Sequence, residues 1–338
     1  MRIAIVNDLS IAVEALKRVL KSVSGHEIAW VAYDGKEAFE KACEDKPDLI
    51  LMDLIMPNMN GVDATKKIMK SCPCPILVVT ATVTGNAGLV FDAMGAGALD
   101  AVCTPTLGSK GSVEGGKDLI KKIDTIGKLI GKEVSIKNKT RSNSITSVKI
   151  LPKMIAIGSS TGGPKALAEI LSGLPKDLGA SIVIVQHVDF LFANGLASWL
   201  GDQSKLPVKV IKEGMFPEKN IIYLAETNDH LVMDKDHTFF YTAEPINYHY
   251  RPSVNVFFKS LKENWKNKGI AIVLTGMGED GAKGLLELKE AGWQTITQDK
   301  ESSTVYGMPK ACVKMNAAKE ILPINKISDR LLELLSIK

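Results

Sequence analysis

Three apolar segments in the second half of the chain each run into a polar residue that can take part in catalysis. Segments of this length between turn-forming residues are typical of strands buried on both faces of a parallel sheet. Residues that follow such strands collect at the carboxyl edge of the sheet. The segments and the residues after them are Met154–Ile157 with Ser160, Ile182–Val185 with His187, and Ile270–Leu274 with Asp280. A serine, a histidine and an aspartate are therefore expected to meet at one edge.

Together these three residue types indicate nucleophilic catalysis. A serine hydroxyl is a weak nucleophile until a base takes its proton, and a histidine can do so near neutral pH while an aspartate holds the imidazole in the required tautomer. Ser160 lies in a turn that contains Gly158, Gly162 and Gly163 and leads into a helix near Pro164. Backbone N–H groups at such a helix start can stabilise a developing oxyanion.

Each of the three residues also has a simpler explanation. The glycine-rich turn could cap a helix or bind a phosphate. His187 could be a hydrogen-bonded core histidine, and Asp280 could cap the helical run Ala282–Glu290 that follows it. The order Ser, His, Asp differs from that of the common α/β-hydrolases, and a G-x-S-x-G elbow is absent. The coincidence of three suitable residues at three strand ends favours catalysis.

The first hundred residues alternate strand and helix patterns. Regular alternation of this kind predicts a doubly wound parallel sheet. A capping box, Asp34–Glu37, opens one of the helices. The strand segments are Ile3–Val6, Glu27–Ala32, Leu49–Met52, Ile76–Val79 and Leu99–Val102.

Four polar residues at or just after these strands are expected at one edge of that sheet: Asp8, Asp53, Thr80 and Thr104. Two carboxylates placed together repel each other unless a cation neutralises them, and hard oxygen ligands suit Mg²⁺. Taken alone, either aspartate could instead be a helix cap or a loop anchor.

The run D-L-I-M-P-N-M-N-G that starts at Asp53 resembles the phosphoacceptor segment of response-regulator receiver domains. The resemblance implies a flavodoxin-like receiver domain over residues 1–106, in which Asp53 accepts a phosphoryl group from a histidine kinase. It also implies that Asp8, Asp53 and the backbone carbonyl of Ile55 hold Mg²⁺. Thr80 is then expected to donate to the phosphoryl oxygens.

Two positions depart from the receiver pattern. Asn7 precedes Asp8 where the family usually has two adjacent acids, and Thr104 stands where the family has a lysine before the proline. A threonine hydroxyl provides roughly half the hydrogen-bond strength of a charged donor and none of its charge. Phosphorylation is still expected because Mg²⁺ can carry much of the neutralisation, but the strength of the resulting switch is left open.

Four motifs in the second half resemble those of the catalytic domain of CheB-type chemotaxis protein-glutamate methylesterases: I-A-I-G-S-S-T-G-G, V-I-V-Q-H, R-P-S-V-N and L-T-G-M-G-E-D-G. The resemblance implies a Rossmann-like catalytic domain over residues 151–338. The chain is therefore expected to hold two doubly wound α/β domains joined by a helix and a linker. Matched position by position, Ser160 is the nucleophile, His187 the general base and Asp280 the orienting acid, while Thr161 and Met277 border the oxyanion site.

Other residues near these motifs are candidates for substrate contacts. Ser159 and Glu279 stand where family members often carry alanine, so local hydrogen bonding and substrate preference can differ. Arg251 could bind the acidic surface of a receptor helix, although general experience favours a structural ion pair, since isolated arginines usually serve as solvated or paired surface groups. Its neighbours Tyr248, His249 and Tyr250 could line the same cleft or pack at a strand edge.

The reaction implied by the resemblance is hydrolysis of glutamate 5-methyl esters on methyl-accepting chemoreceptors, with release of methanol. Deamidation of glutamine would use the same acyl intermediate. No metal or organic cofactor is expected in the catalytic domain. The receiver domain is expected to cover the esterase cleft until a chemotaxis-type histidine kinase phosphorylates Asp53. The alternatives are a binding-only phospho-switch and a nucleotide-binding module, and the absence of a P-loop lysine disfavours the second.

Residues 107–150 carry an excess of positive charge, in a basic helix over Glu114–Ile130 and a polar linker over Lys132–Lys149. No recognition helix or aromatic platform accompanies them, so nucleic-acid binding is not expected. No apolar run has the length of a signal peptide core or of a membrane span. We therefore expect a cytoplasmic protein that does not insert into a membrane.

The five cysteines are an odd number with no CxxC pair. This spacing argues against a disulfide framework and against a structural zinc site. Reduced and mostly buried thiols are predicted.

Overall fold

The computed structural model describes residues 1–23, 25–81, 87–107, 113–130, 151–246, 248 and 250–336. The chain divides into two compact units, residues 1–136 and 137–338. The predicted linker over Lys132–Lys149 lies outside the described residues, so domain limits at residues 106 and 150 stay a prediction. Within the described ranges, no helix combines the length and the apolar character that crossing a membrane requires.

The first unit is built on a five-stranded parallel sheet with the strand order β2-β1-β3-β4-β5. This order is that of flavodoxin-like doubly wound domains, and it confirms the predicted fold. Each predicted strand occurs within one residue of its expected bounds. The elements are β1 (Arg2–Val6), α1 (Ser10–Lys21), β2 (Glu27–Ala32), α2 (Gly35–Glu44), β3 (Leu49–Met52), α3 (Gly61–Ser71), β4 (Ile76–Thr80), α4 (Ala87–Gly95), β5 (Asp100–Cys103), β6 (Thr106–Leu107), β7 (Val113–Glu114) and α5 (Gly116–Ile130).

The start of α2 illustrates how local sequence sets these bounds. The Asp34 carboxylate accepts hydrogen bonds from the N–H groups of Lys36 and Glu37, both at 2.8 Å. The Glu37 carboxylate accepts in turn from the N–H of Tyr33 at 2.7 Å. The predicted capping box is therefore present, but its returning bond reaches one residue before the cap.

The second unit is built on a seven-stranded parallel sheet with the order β10-β11-β9-β8-β14-β15-β16, and this sheet confirms the Rossmann-like prediction. A separate antiparallel hairpin joins β12 and β13. The elements are β8 (Lys153–Ser159), α6 (Gly163–Ser172), β9 (Ala180–Gln186), α7 (Phe190–Gln203), β10 (Val208–Val210), β11 (Ile222–Leu224), β12 (His230–Met233), β13 (Phe239–Thr242), α8 (Val254–Asn264), β14 (Ile270–Val273), α9 (Ala282–Glu290), β15 (Gln294–Gln298), α10 (Met308–Lys314), β16 (Glu320–Leu322) and α11 (Ile324–Leu335).

The strand order of this sheet reverses direction between β8 and β14. Strands β9, β11 and β10 lie in this spatial order on one side of β8, whereas β14, β15 and β16 lie on the other side. The connection after β8 therefore leads to β9 on one side of the sheet, and the connection after β14 leads to β15 on the other side. A crevice at the carboxyl edge of such a switch point is where doubly wound domains bind ligands.

The prediction of reduced thiols is wrong for two of the five cysteines. Cys43, in α2, and Cys72, directly after α3, form a disulfide whose Cα atoms are 5.3 Å apart. The pairing depends on the packing of α2 against α3, which local cysteine spacing does not reveal. Cys74, Cys103 and Cys312 are free, and Cys74 and Cys312 are buried.

We expect protein purified without reductant to show three titratable thiols in denaturant, since Cys74, Cys103 and Cys312 are the free cysteines. Reduction should raise the count to all five cysteines of the chain. A chromogenic thiol reagent measures both values. The Cys43→Ser variant should expose Cys72 as an additional free thiol without reduction. A full count of thiols in unreduced wild-type protein would contradict the pairing.

Candidate active site

Ser160 lies at the carboxyl edge of the second sheet, directly after the last residue of β8. Its backbone N–H donates across the switch point to the carbonyl of Thr275 at 3.1 Å. A Cβ added at Gly276 would lie 2.7 Å from the Cβ of Ser160, so this close approach requires glycine. As predicted, a helix follows at once, and α6 begins at Gly163.

His187 occupies the matching position on the neighbouring strand. Strands β8 and β9 pair in parallel with Ser159 opposite Gln186, so Ser160 and His187 come next in the same register. The His187 N–H donates to the Ser159 carbonyl at 3.0 Å. Because paired strands lie about 4.8 Å apart, the backbones at Ser160 and His187 are direct neighbours.

Asp280, from the turn after β14, contacts His187 directly. The Nε2 atom of His187 and the Oδ2 atom of Asp280 are 2.8 Å apart, and their side chains are 9% and 3% exposed. The other ring nitrogen of His187, Nδ1, is buried and has no hydrogen-bond partner among the described residues. The structure thus brings the three predicted residues to one edge of the sheet, with the acid and the imidazole already paired.

The alternative that Asp280 caps the following helix is wrong. Gly281 is the N-cap of α9, and no side chain caps that helix. Asp280 binds the start of a different helix, α8. Its Oδ1 atom accepts from the Ser253 hydroxyl at 2.8 Å and from the Asn255 N–H at 3.1 Å, and its Oδ2 atom accepts from the Val254 N–H at 2.7 Å.

These donors decide the charge of Asp280. Burial pushes the pKa of Asp280 upward, but the hydrogen bond and the charge of His187 outweigh it, and the Asn255 N–H and the Ser253 hydroxyl act in the same direction. The net result is a pKa below the usual 3.8. The positive end of the α8 dipole also favours the ionised form. Asp280 is therefore a fixed negative charge beside the imidazole at neutral pH.

Thr275 joins the two loops that carry Thr161 and Met277, the residues expected at the oxyanion site. Its hydroxyl donates to the Thr161 carbonyl at 2.9 Å and accepts from the Val305 N–H at 2.9 Å. Because β8 and β14 are paired neighbours, Thr161 and Met277 flank the switch point from its two sides. Both residues are therefore at the edge that carries Ser160.

Gln186 was missed by the sequence analysis. Its amide Nε2 donates to the carbonyls of Ser160 at 2.8 Å and His187 at 3.2 Å, and its Oε1 accepts from the Ser159 hydroxyl at 2.6 Å. Ser159 and Gln186 are both fully or almost fully buried. A buried polar residue at the end of an apolar strand requires partners, and this feature of the sequence could have identified Gln186.

The Arg251 side chain turns to its own loop. Its guanidinium donates to the carbonyl of Ile246 at 2.6 Å, and within the described ranges it forms no salt bridge. The predicted structural ion pair is therefore not formed there. Tyr250, the preceding residue, stacks on the His187 ring with a centroid distance of 4.6 Å and an interplanar angle of 6°.

In the first unit, Asp53 follows β3 and is partly buried. Its Oδ1 atom accepts from the Leu54 N–H at 2.7 Å and its Oδ2 atom from the Asn7 side-chain amide at 3.0 Å. Burial raises the pKa of Asp53 to about 6, the Leu54 N–H opposes this, and the nearby Asp8 carboxylate raises it further. Asn7, which stands where an acid was expected, thus donates to the carboxylate.

Thr80 and Thr104 lie at the ends of the neighbouring strands β4 and β5, with Thr104 directly after the last residue of β5. Thr80 ends β4 and is buried, and its carbonyl accepts from the Thr104 N–H at 2.9 Å. The Thr104 hydroxyl is buried and lacks a partner within the described residues. No group of three or more acidic, histidine or cysteine side chains there forms a metal cage. The predicted Mg²⁺ site is of a different kind, because it has only two side-chain ligands, Asp8 and Asp53, and its third ligand is the backbone carbonyl of Ile55.

The fold and the site define a two-unit α/β protein, in which a flavodoxin-like unit with a phosphoacceptor-type carboxylate precedes a Rossmann-like unit with Ser, His and Asp at its switch point. The family model described as CheB methylesterase matches residues 155–331, and that of the response regulator receiver domain matches residues 3–106. The chain belongs to the CheB methylesterase family, a class of hydrolase, and carries a receiver domain. The resemblances seen in the sequence are confirmed.

Two relatives named protein-glutamate methylesterase/protein-glutamine glutaminase match nearly the full chain. One, from Cupriavidus metallidurans, is 49% identical over 98% of this chain and 97% of its own length. The other, from Pseudomonas fluorescens Pf-5, is 49% identical over 99% of both chains. The crystal structure of the Thermotoga maritima CheB methylesterase catalytic domain is 38% identical with a TM-score of 0.53, and the match covers 55% of this chain and 100% of that domain.

Asp53 should make the first unit less stable as the pH rises. Its folded-state pKa of about 6 exceeds the value of about 3.9 for an unfolded chain. The protonated Asp53 carboxyl therefore makes its full contribution to the free energy of unfolding below about pH 4. This contribution is lost as the pH rises through about 6. In metal-free buffer the loss approaches roughly 2–3 kcal/mol of unfolding free energy.

Urea unfolding of wild-type protein and of Asp53→Asn across this pH range measures the effect. The asparagine variant cannot ionise at this position, so its stability relative to the wild type should rise between about pH 4 and pH 8. An equal difference between the two proteins at both ends of the range would contradict the raised pKa.

Proposed function

We propose that this protein hydrolyses glutamate 5-methyl esters on methyl-accepting chemoreceptors and releases methanol. The observation that carries the proposal is the pairing of His187 with the ionised Asp280 beside Ser160 at the switch point of the sheet. The names of the two relatives at 49% identity support the same reaction and the same glutamate substrate.

Ser160 acts as the nucleophile and His187 as the base. With Nε2 hydrogen-bonded to Asp280, Nδ1 is the ring atom that accepts the Ser160 proton while Oγ bonds to the ester carbonyl carbon. The C–O bond to the methoxy group then breaks, and His187 returns the proton so that methanol leaves. Water attacks the acyl-enzyme, gives a proton to Nδ1, and releases the glutamate carboxylate as Ser160 regains its hydrogen. Asp280 stabilises the transient imidazolium through its fixed charge.

The oxyanion of each tetrahedral intermediate lies between the loops after β8 and β14. The backbone N–H groups of Thr161 and Met277 are the proposed donors that stabilise this charge. Donors of this kind are effective because they are already oriented before the reaction, and the loss of one typically lowers kcat by about 10²–10³-fold. The Thr275 hydrogen bonds keep the two loops at a fixed spacing.

Deamidation of receptor glutamine follows the same course. Ser160 attacks the amide carbonyl, and ammonia leaves in place of methanol with a proton from His187. Both reactions then share one glutamyl ester of Ser160 and one hydrolytic step. The glutaminase part of the names of the relatives supports this second activity.

In the receiver domain, a chemotaxis-type histidine kinase phosphorylates Asp53. Asp8, Asp53 and the Ile55 carbonyl would hold Mg²⁺, and a partly buried carboxylate whose pKa is raised to about 6 beside a second acid fits a divalent cation. When bound, Mg²⁺ neutralises part of the phosphoryl charge. Thr80 donates to the phosphoryl oxygens, while Thr104 offers only a neutral hydroxyl where receiver domains have a lysine.

Ser160→Ala should abolish methanol release, because no other group in this arrangement becomes acylated. Ser159→Ala should lower the rate by less than about tenfold, since Ser159 contacts Gln186 and not the reacting atoms, and one lost neutral hydrogen bond costs about 1 kcal/mol. Release of labelled methanol from methylated receptor measures both variants. The reverse ranking of the two serines would refute the assignment of the nucleophile, and wild-type protein that releases no methanol would indicate a binding-only phospho-switch.

Phosphorylation should raise the esterase rate by at least about 5-fold, as expected for a typical coupling between two sites. The same methanol assay, with and without a small-molecule phosphodonor and Mg²⁺, measures the change. Asp53→Asn should keep the basal rate and lose the response. Equal rates of wild-type protein with and without phosphodonor or beryllium fluoride would refute control through Asp53.

A further inference from the structure

Tyr250 covers one face of the imidazole that the proposed reaction uses as its base. Its ring and that of His187 are almost parallel, with an interplanar angle of 6° and a centroid distance of 4.6 Å. This distance corresponds to direct stacking of two aromatic rings. The His187 ring is therefore held at its Nε2 edge by Asp280 and on one face by Tyr250.

The hydroxyl end of Tyr250 contacts the loop expected to carry an oxyanion donor. A Cβ added at Gly278 would lie 2.5 Å from the Tyr250 hydroxyl oxygen, and Gly278 has a φ of +79°. The phenol thus fills the space beside this glycine, directly after Met277. One side chain consequently touches both the base and the loop of the proposed oxyanion site.

The segment that carries Tyr250 is anchored by the same carboxylate that binds the base. Arg251 donates to the carbonyl of Ile246, and the Ser253 hydroxyl donates to Asp280. The Ser253 N–H donates to Nδ1 of the buried His230 at 3.2 Å. Tyr250 is therefore fixed relative to Asp280 through a short run of backbone.

The phenol stays neutral under the conditions of the reaction. Burial raises the pKa of Tyr250 above its usual 10, and the charges of Asp280 and Glu279 raise it further. A neutral phenol ring presents a negative π-face, which attracts a cation placed over it. The imidazolium that forms when the base takes a proton is such a cation.

We propose that Tyr250 is a positioning residue for the esterase reaction. Its ring keeps the imidazole plane aligned with Asp280 and stabilises the imidazolium, and its hydroxyl end packs against Gly278 to hold the Met277 loop. The proposal rests on the role of His187 as the base. It goes beyond the Ser-His-Asp set because it assigns Tyr250 a contribution to kcat.

The matched variants are Tyr250→Phe, which keeps the ring, and Tyr250→Leu, which removes it. Tyr250→Phe should keep kcat within about threefold of the wild type. Tyr250→Leu should lower kcat at least about tenfold while KM changes by less than about threefold, since a positioning residue acts on the transition state. Phe240→Leu, at an exposed position of β13, is the control for loss of an aromatic ring and should match the wild type.

The pH dependence separates this role from a general effect on folding. Loss of the stacked ring destabilises the imidazolium, so the acid limb of the kcat/KM profile of Tyr250→Leu should move to lower pH by roughly half a unit. Tyr250→Phe should leave the limb in place. Wild-type kinetics in Tyr250→Leu would overturn the proposal, as would equal losses in both variants with an unmoved acid limb.

A second measurement does not depend on activity. Long-range ¹H–¹⁵N spectra of the His187 ring, recorded against pH, should show a lower titration midpoint in Tyr250→Leu and an unchanged one in Tyr250→Phe. The failure of wild-type protein to release methanol would refute the proposed function, whereas unchanged ring titration in Tyr250→Leu would refute only the role of Tyr250. If the leucine variant loses its folded circular dichroism spectrum, Tyr250→Met provides the same comparison with an unbranched side chain.

Discussion

A buried carboxylate that keeps its negative charge organises the second unit. Burial of an ion is expensive unless every part of it is paired. Asp280 meets this requirement with the imidazole of His187, the hydroxyl of Ser253 and two backbone N–H groups at the start of α8. The same four bonds therefore orient the His187 ring, the start of α8 and the turn after β14. The geometry of the site thus depends on the same contacts that join these elements.

The first unit places a carboxylate in a similar position with the opposite electrostatic result. Asp53 is partly buried, its partners are backbone N–H groups of Leu54 and Ile55 and the neutral amide of Asn7, and its pKa is raised to about 6. Asp280 therefore keeps a stabilised negative charge. Asp53 is poorly neutralised, which suits a carboxylate that binds a cation or is modified. Perturbed carboxylates of both kinds are common at functional sites.

Much of this architecture could be predicted because apolar segments of four or five residues between turn residues identify buried strands. The parallel order then places Ser160, His187 and Asp280 at one edge. The pairing of Cys43 with Cys72 could not be predicted, since it joins segments that no local pattern relates. The position of Gln186 at the end of an apolar strand marks it as a buried polar residue, but its partners Ser159 and Ser160 come from a segment that local sequence does not relate to it. The alternative that Asp280 caps α9 was wrong for a related reason. The N-cap rule relates a residue to the helix that follows it in the sequence. The fold instead brings α8, from earlier in the chain, to the Asp280 carboxylate.

The attachment of α8 to Asp280 has a mechanical consequence. The first N–H groups of this helix are bound to a catalytic-site carboxylate instead of solvent, and the residues just before it include Arg251 on the outer loop. Two residues after Arg251, the Ser253 hydroxyl donates to the same carboxylate, so only a short run of backbone separates the loop from the partner of the imidazole. Residues 250–254 thereby connect the ring that stacks on the His187 imidazole to the carboxylate that binds Nε2 of the same imidazole.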